Sequence, residues 1–133
     1  DLERLVLSDN SFGPSALSNF VSLITQTERM GLTELHLSNC KLRGHDVDEV
    51  LSLVGGGKMP FLQTMDLSNN DLSKSERGLS KLIEANVGTL TNLDISWGHL
   101  AENEALPVAQ SLENNSSLVE LNLGMNHFQM KHI

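Results

Sequence analysis

Tyrosine is absent from this 133-residue sequence, and tryptophan and cysteine each occur only once. With four phenylalanines, aromatic residues make up just 4% of the chain. A single cysteine cannot form an internal disulfide, which excludes a disulfide scaffold and favours a reducing compartment, so we expect a cytoplasmic location. No apolar run approaches the roughly 18 residues that a membrane-spanning helix needs, so we expect no membrane insertion.

Positive charge is also scarce. Nine Lys and Arg against 17 Asp and Glu give a formal net charge of -8. Proteins usually meet nucleic acids with a basic face, so this balance argues against a nucleic-acid partner. It favours a basic protein as the partner.

Leucine, in contrast, is abundant at 24 of 133 residues, and it recurs in a fixed frame. The segment from Leu2 to Phe12 reads LxxLxLxxNxF, and five copies start at residues 2, 32, 62, 90 and 118. The frame positions of the later copies are Leu32, Leu35, Leu37, Cys40 and Leu42; Leu62, Met65, Leu67, Asn70 and Leu72; Leu90, Leu93, Ile95, Gly98 and Leu100; and Leu118, Leu121, Leu123, Asn126 and Phe128. Recurrence every 28 to 30 residues indicates a repeat architecture.

Each copy predicts a strand followed by a helix. The LxL segment is typical of a short strand whose leucines point inward. The asparagine of the frame can turn inward and bind the neighbouring loop, because its amide both donates and accepts. Helical spacing follows, with Pro14 and Pro107 expected near helix starts. The predicted buried faces are Ala16, Phe20, Val21 and Ile24; Asp46, Val50, Leu51 and Val54; Leu79, Leu82 and Ile83, with a one-residue slip; and Glu104, Val108, Ala109 and Leu112.

This pattern resembles the ribonuclease-inhibitor-like leucine-rich repeats, a class shared by CARMIL actin regulators, Ran GTPase-activating proteins and NLR immune receptors. The resemblance implies an α/β right-handed solenoid, a horseshoe arc with parallel strands on its concave side and helices on its convex side. We predict one domain over residues 1–133. Because neither end carries a polar cap, we expect a piece of a longer array with uncapped ends open to self-association, and the alternative is a complete small protein whose ends are covered by self-association.

Outward-pointing strand residues should stack in columns, and these columns are predominantly acidic. The concave face is therefore predicted to dock a basic protein partner. Trp97, beside Met125, suits a binding hot spot, although packing against its own loop is the alternative. The predicted partner-binding residues are Glu34, His36, Asp66, Asp94, Trp97, Glu120, Asn122 and Met125.

No reactive centre is expected on this surface. Asp66 and Asp94 should be neighbours, but an open strand face offers no pocket that would raise one pKa for acid–base work. We interpret His36 beside Asp66 as a surface ion pair. Asp71, His99 and His127 share one loop position, yet linear stacking splays them, so we expect no metal site and no cofactor.

Two further motifs have structural interpretations. The run Gly55-Gly56-Gly57-Lys58 lacks the GxxxxGK[ST] frame and follows a helix, so it predicts a helix stop rather than a phosphate loop. Cys40 fills a buried frame position and has no catalytic partner at motif spacing.

The predicted function is a protein–protein interaction module rather than an enzyme. A rigid arc suits this role, because folding orders the outward side chains before binding. Two alternatives remain open: a regulator of a small GTPase, as in the Ran GTPase-activating proteins, and a structural segment of an actin regulator or immune receptor.

Overall fold

Short strands alternate with helices throughout the computed structural model, which describes residues 2–27, 31–85 and 88–126. In chain order the elements are β1 (Arg4–Val6), α1 (Pro14–Gln26), β2 (Glu34–His36), α2 (His45–Gly55), β3 (Thr64–Asp66), α3 (Glu76–Glu84), β4 (Asn92–Asp94), α4 (Glu102–Leu112) and β5 (Glu120–Asn122). Each strand begins two residues after the start of its leucine frame, because the first frame leucine precedes the strand and the second lies at its centre.

The five strands form one parallel sheet in the order β1-β2-β3-β4-β5. Its register pairs equivalent residues of successive repeats, so that Leu35 lies opposite Met65 and Met65 opposite Leu93. One helix follows each of the first four strands, and successive helices pack against one another. The predicted α/β solenoid is therefore confirmed.

The core consists of stacked leucine layers. The central strand residues Leu35, Met65 and Leu93 are buried, whereas Leu5 and Leu121 on the outer strands are only partly buried. Full burial of a leucine or methionine side chain contributes about 1.5–3 kcal/mol. Each layer obtains this stabilisation only from a neighbour on both sides, as expected for a solenoid.

The frame asparagine joins adjacent repeats through backbone groups. Asn70 Oδ1 accepts the N–H groups of Cys40 and Leu42 at 3.1 and 3.0 Å. Its Nδ2 donates to the carbonyl oxygens of Leu37 and Leu67 at 2.8 and 3.0 Å. A buried amide thus satisfies loop groups of two repeats, and Asn126 repeats the arrangement with Gly98 and Leu100.

Two repeats lack this asparagine and compensate differently. The Cys40 thiol donates to the Leu7 carbonyl oxygen at 3.1 Å, which is the contact that Asn70 Nδ2 makes with Leu37. At Gly98 an added Cβ would lie 2.9 Å from both the Ile95 carbonyl oxygen and Leu72 Cδ1, so a larger residue would force these surroundings to shift. The Leu72 N–H there is satisfied by the Gly98 carbonyl oxygen at 2.8 Å.

Each of the first two predicted helix faces was wrong at its first residue and was confirmed at its other three residues. Ala16 is exposed and Leu17 is buried, and likewise Val47 is buried while Asp46 is only half-buried. The reason is that the apolar residues follow the spacing i, i+3, i+4 and i+7 rather than the offsets i, i+4, i+5 and i+8. This stripe comprises Leu17, Phe20, Val21 and Ile24 in α1, and Val47, Val50, Leu51 and Val54 in α2. The predicted α3 residues Leu79, Leu82 and Ile83 follow the same spacing of i, i+3 and i+4, so this helix has no slip.

Pro107 was also placed wrongly, because it lies inside α4 rather than near its start. The helix begins earlier because the Glu104 side chain reaches back and accepts the Ala101 N–H at 2.9 Å. Pro107 leaves the carbonyl group of Asn103 without its usual intrahelical donor.

The glycine run ends α2 as predicted. Gly57 has a φ of 83°, a left-handed conformation that glycine adopts without steric cost. The N–H groups of Gly57 and Lys58 donate to the carbonyl oxygens of Val54 and Leu53 at 3.1 Å each. These two bonds form a Schellman cap, so the run serves to terminate the helix.

Candidate protein-interaction surface

The outward residues of β1–β5 form a surface that we call the strand face, on the side predicted to be concave. Parallel register aligns them in two columns, which are Arg4, Glu34, Thr64, Asn92 and Glu120, and Val6, His36, Asp66, Asp94 and Asn122. Six of the eight predicted partner-binding residues lie in these columns. Trp97 and Met125 lie in the turns that follow β4 and β5.

The β1–β2 end of the strand face neutralises its own charge. Glu34 Oε1 lies 3.5 Å from Arg4 Nε and 3.1 Å from His36 Nε2. The hydrogen bond with His36, followed by the charges of Arg4 and His36, lowers the pKa of Glu34 despite an opposing effect of desolvation. Glu34 is therefore an internal ion-pair partner, which the sequence columns did not reveal.

His36 lies closer to Glu34 than to Asp66, the residue that the sequence predicted as its partner. Its Nδ1 is 3.9 Å from Asp66 Oδ2, against 3.1 Å between Nε2 and Glu34 Oε1. The predicted pair with Asp66 is present at the limit of ion-pair distance. The sequence could have predicted the contact between Glu34 and His36, because residues i and i+2 of a strand share one face.

The Asp66 and Asp94 carboxylates are fixed by the turns that follow their strands. Asp66 Oδ1 accepts the Ser68 N–H at 2.9 Å, and Asp94 Oδ1 accepts the Ser96 N–H at 2.9 Å. Asn122 repeats this contact with the Gly124 N–H at 2.9 Å. This column therefore stabilises turns as well as facing solvent, and the shared spacing in the sequence is its signature.

Negative charge accumulates at the β3–β5 end. Asp66 and Asp94 lie opposite each other in register, and Glu120 belongs to the next strand. Within the described ranges, neither Asp94 nor Glu120 has a basic side chain at ion-pair distance. These three residues, with Asn92 and Asn122, line a shallow depression of about 200 Å³. We call Asp66, Asp94 and Glu120 the acidic patch.

The turn residues after the strands share a left-handed backbone. Their φ angles are 66° at Asp9, 51° at Asn39, 58° at Asn69, 53° at Trp97 and 57° at Met125. Trp97 and Met125 are 52% and 63% exposed. Two large, exposed apolar residues thus occupy equivalent turn positions in successive repeats, directly after the strands that carry Asp94 and Glu120.

The side chains considered for metal binding or reactivity have structural roles in the described part of the chain. No metal-binding group of His, Cys, Asp and Glu occurs among the described residues, and the predicted position of His127 lies outside them. Asp71 instead accepts hydrogen bonds from the hydroxyl and the backbone N–H of Ser73. The hydroxyl bond is the main cause that lowers the pKa of Asp71, and the backbone bond and the charges of His99 and Arg43 lower it further. Burial raises the pKa of the Cys40 thiol, which keeps it protonated as a donor.

The helices of the described part of the chain are all too short or too polar to cross a membrane.

Comparisons with known proteins identify the repeats. Residues 31–53 and 61–82 match the Leucine Rich Repeat family model. The chain is 31% identical over 129 residues to "NACHT, LRR and PYD domains-containing protein 12" of Mus musculus, covering 95% of this chain and 12% of that protein. It is 30% identical over 125 residues to "Leucine-rich repeat-containing protein 14" of Homo sapiens, covering 93% and 25%. The chain therefore spans a quarter or less of these curated relatives.

Solved structures share the fold at low identity. The "Leiomodin-1 Actin-Binding Site 2" structure superposes with a TM-score of 0.77 at 15% identity, covering 98% of this chain and 73% of that one. The tropomodulin C-terminal domain of Caenorhabditis elegans gives a TM-score of 0.75 at 13% identity, covering 99% and 78%. Repeat frame, parallel sheet and these matches together place the chain in the leucine-rich-repeat superfamily.

Proposed function

We propose that this chain is a protein-interaction module whose strand face binds a basic segment of a partner protein. Membership of the leucine-rich-repeat superfamily supports the interaction role. The observation that carries the basic partner is the acidic patch, in which Asp94 and Glu120 have no described cationic neighbour at ion-pair distance.

The acidic patch acts mainly on the rate of association. An exposed ion pair contributes only about 0–1 kcal/mol to affinity, because water screens it. Several carboxylates on one face nevertheless create a field that attracts a cationic segment before contact. The turn contacts that hold Asp66 and Asp94 mean that little side-chain freedom is lost on binding.

The association kinetics of a lysine-rich peptide test this proposal, with a glutamate-rich peptide of equal length as the control. Asp66→Asn combined with Asp94→Asn is the sharpest variant, because Asn122 already makes the same turn contact without a charge. The variant should lower the association rate at low salt and lose that effect near 1 M, where the Debye length is about 3 Å.

The matched control combines Glu84→Gln on α3 with Glu113→Gln after α4. It removes the same net charge from exposed residues away from the strand face. Equal effects of the two double variants would show that net charge, and not the acidic patch, attracts the peptide. Unchanged binding in both would contradict the proposal.

Actin binding is a second candidate, favoured by the structural similarity to the leiomodin-1 actin-binding site. Titration with monomeric actin tests it. Saturable binding weakened by Glu120→Lys but not by Glu84→Lys would support this candidate, and no binding would remove it.

The proposal does not include catalysis, because it rests on the interaction role of the superfamily and on the open acidic patch. Regulation of a small GTPase is one of the two alternatives from the sequence, beside a structural segment of an actin regulator or immune receptor. A GTP-hydrolysis assay with purified small GTPases tests it directly, and accelerated hydrolysis would favour it over simple binding. The predicted cytoplasmic location is tested by imaging the tagged chain in cells.

A further inference from the structure

The turn column of the solenoid contains two residues that do not suit its backbone. Asn and Asp tolerate a left-handed conformation because their short polar side chains bond locally, and they fill this position in the first three repeats. Trp97 and Met125 adopt the same conformation in the last two, at φ angles of 53° and 57°. For bulky residues such angles are rare and strained.

The turn itself does not require these side chains. Its backbone is held by the ladder between repeats, in which the Trp97 N–H donates to the Gly124 oxygen at 3.0 Å and the Asn69 N–H to the Ser96 oxygen at 3.0 Å. The equivalent turn at Asn39 is built on the same ladder with a small polar residue. Trp97 and Met125 thus bear strain and remain more than half exposed at a turn that the first three repeats build with Asp or Asn. Local rules broken without a folding gain typically mark functional surfaces.

We propose that Trp97 and Met125 form an apolar anchor site for a leucine or phenylalanine side chain that lies next to lysine or arginine in the partner protein. The inference rests on the proposed function, because the same segment must reach the acidic patch. Charge complementarity selects this occupant, since Asp94 lies in β4 just before the Trp97 turn and Glu120 lies in β5 just before the Met125 turn.

Trp97 reports on the site directly, because it is the only tryptophan in the chain. The probes are two lysine-rich peptides without tryptophan or tyrosine, identical except for leucine or serine at the central position. The leucine peptide should shift Trp97 emission to shorter wavelength and protect it from acrylamide quenching, and the protection should persist at about 0.5 M salt. Calorimetric binding of the leucine peptide without any change at Trp97 would overturn the proposal.

Two variants separate binding from folding. Trp97→Asn and Met125→Asn copy the residue type that the turn prefers, so the melting temperature should stay within a few degrees of the parent or rise. Affinity for the leucine peptide should fall roughly tenfold or more, mostly through faster dissociation. Leu106→Gln is the matched control, because Leu106 is 51% exposed on α4, away from the strand face. A large fall in melting temperature in both variants would assign the pair a folding role instead.

The outcomes distinguish the two proposals. If both peptides bind equally, and only Asp66→Asn with Asp94→Asn weakens them, the anchor site is wrong and the proposed function stands. If neither peptide binds, both proposals fail. Preference for leucine that Trp97→Asn abolishes, with the salt-dependent charge effect intact, supports both.

Discussion

The Glu104 carboxylate accepts the backbone N–H of Lys74 at 2.6 Å, across the boundary between the third and fourth repeats. Its other oxygen accepts the Ala101 N–H at 2.9 Å, at the start of its own helix. Glu104 is the charged member of the otherwise apolar face of α4. Its buried side chain thus bridges two repeats. The Lys74 backbone has a φ of 66°, and this bond satisfies its N–H.

Replacing Glu104 should therefore destabilise the fold. Glu104→Ala leaves two backbone donors without their acceptor, and we expect a loss of about 2–4 kcal/mol in the free energy of unfolding. Glu104→Gln keeps one acceptor oxygen and should lose less. Urea denaturation measures both, with the exposed Glu84→Ala expected to stay within about 0.5 kcal/mol. A neutral Glu104→Ala would contradict the bridge.

Asp66 faces outward and its neighbour Leu67 faces inward, so substitutions at these two positions should affect stability very differently. Leu67 is fully buried, so Leu67→Ala should cost about 2–5 kcal/mol through the cavity it leaves. Asp66→Asn retains an acceptor for the Ser68 N–H and should change stability by about 0.5 kcal/mol or less. Chemical denaturation of the two variants is the measurement, and the reverse order would show that the inward and outward faces are exchanged.

Burial of Cys40 predicts both the reactivity of its thiol and the pH dependence of the stability that it contributes. The native thiol should resist alkylation until the chain unfolds, because it is buried and donates to the Leu7 carbonyl oxygen. Its folded pKa is raised, so the stability that it contributes is complete below the unfolded pKa and is lost as pH rises through the folded pKa.

Denaturant melts between about pH 7 and pH 10 test this statement. The decline in stability towards high pH should be smaller in Cys40→Ala than in the parent, whatever the cost of the cavity at neutral pH. Rapid alkylation of the native thiol would argue against the buried donor.

Glu34 should contribute to stability with a pH dependence opposite to that of Cys40. Its hydrogen bond with His36, aided by Arg4, lowers its folded pKa below the ordinary value of 4.5. A lowered pKa contributes stability that is present above the unfolded pKa and is lost as pH falls through the folded value. Acid denaturation of Glu34→Gln should therefore show a shallower loss below about pH 5 than the parent. Glu84→Gln, on the exposed face of α3, is the control, and an equally shallow curve there would contradict the assignment.

The sequence determined the solenoid because its pattern is periodic. Copies of the leucine frame place Leu35, Met65 and Leu93 inward at equivalent positions, and equivalent positions stack when each repeat must cover the next. The columns of the strand face follow from the same period. The position of Asn70 between loops was also predictable, since an amide is suited to satisfy donors and acceptors together.

Only the tertiary structure decided which of those outward and helical residues have partners. Glu34 binds Arg4 and His36, Glu104 bridges two loops, and Pro107 lies inside α4. These facts depend on rotamers and on distances of a few ångströms between repeats, which a repeat frame does not encode. The strain at Trp97 was hidden for the same reason: the frame specifies that a turn follows each strand, but the sign of φ emerges only when the ladder between repeats is built.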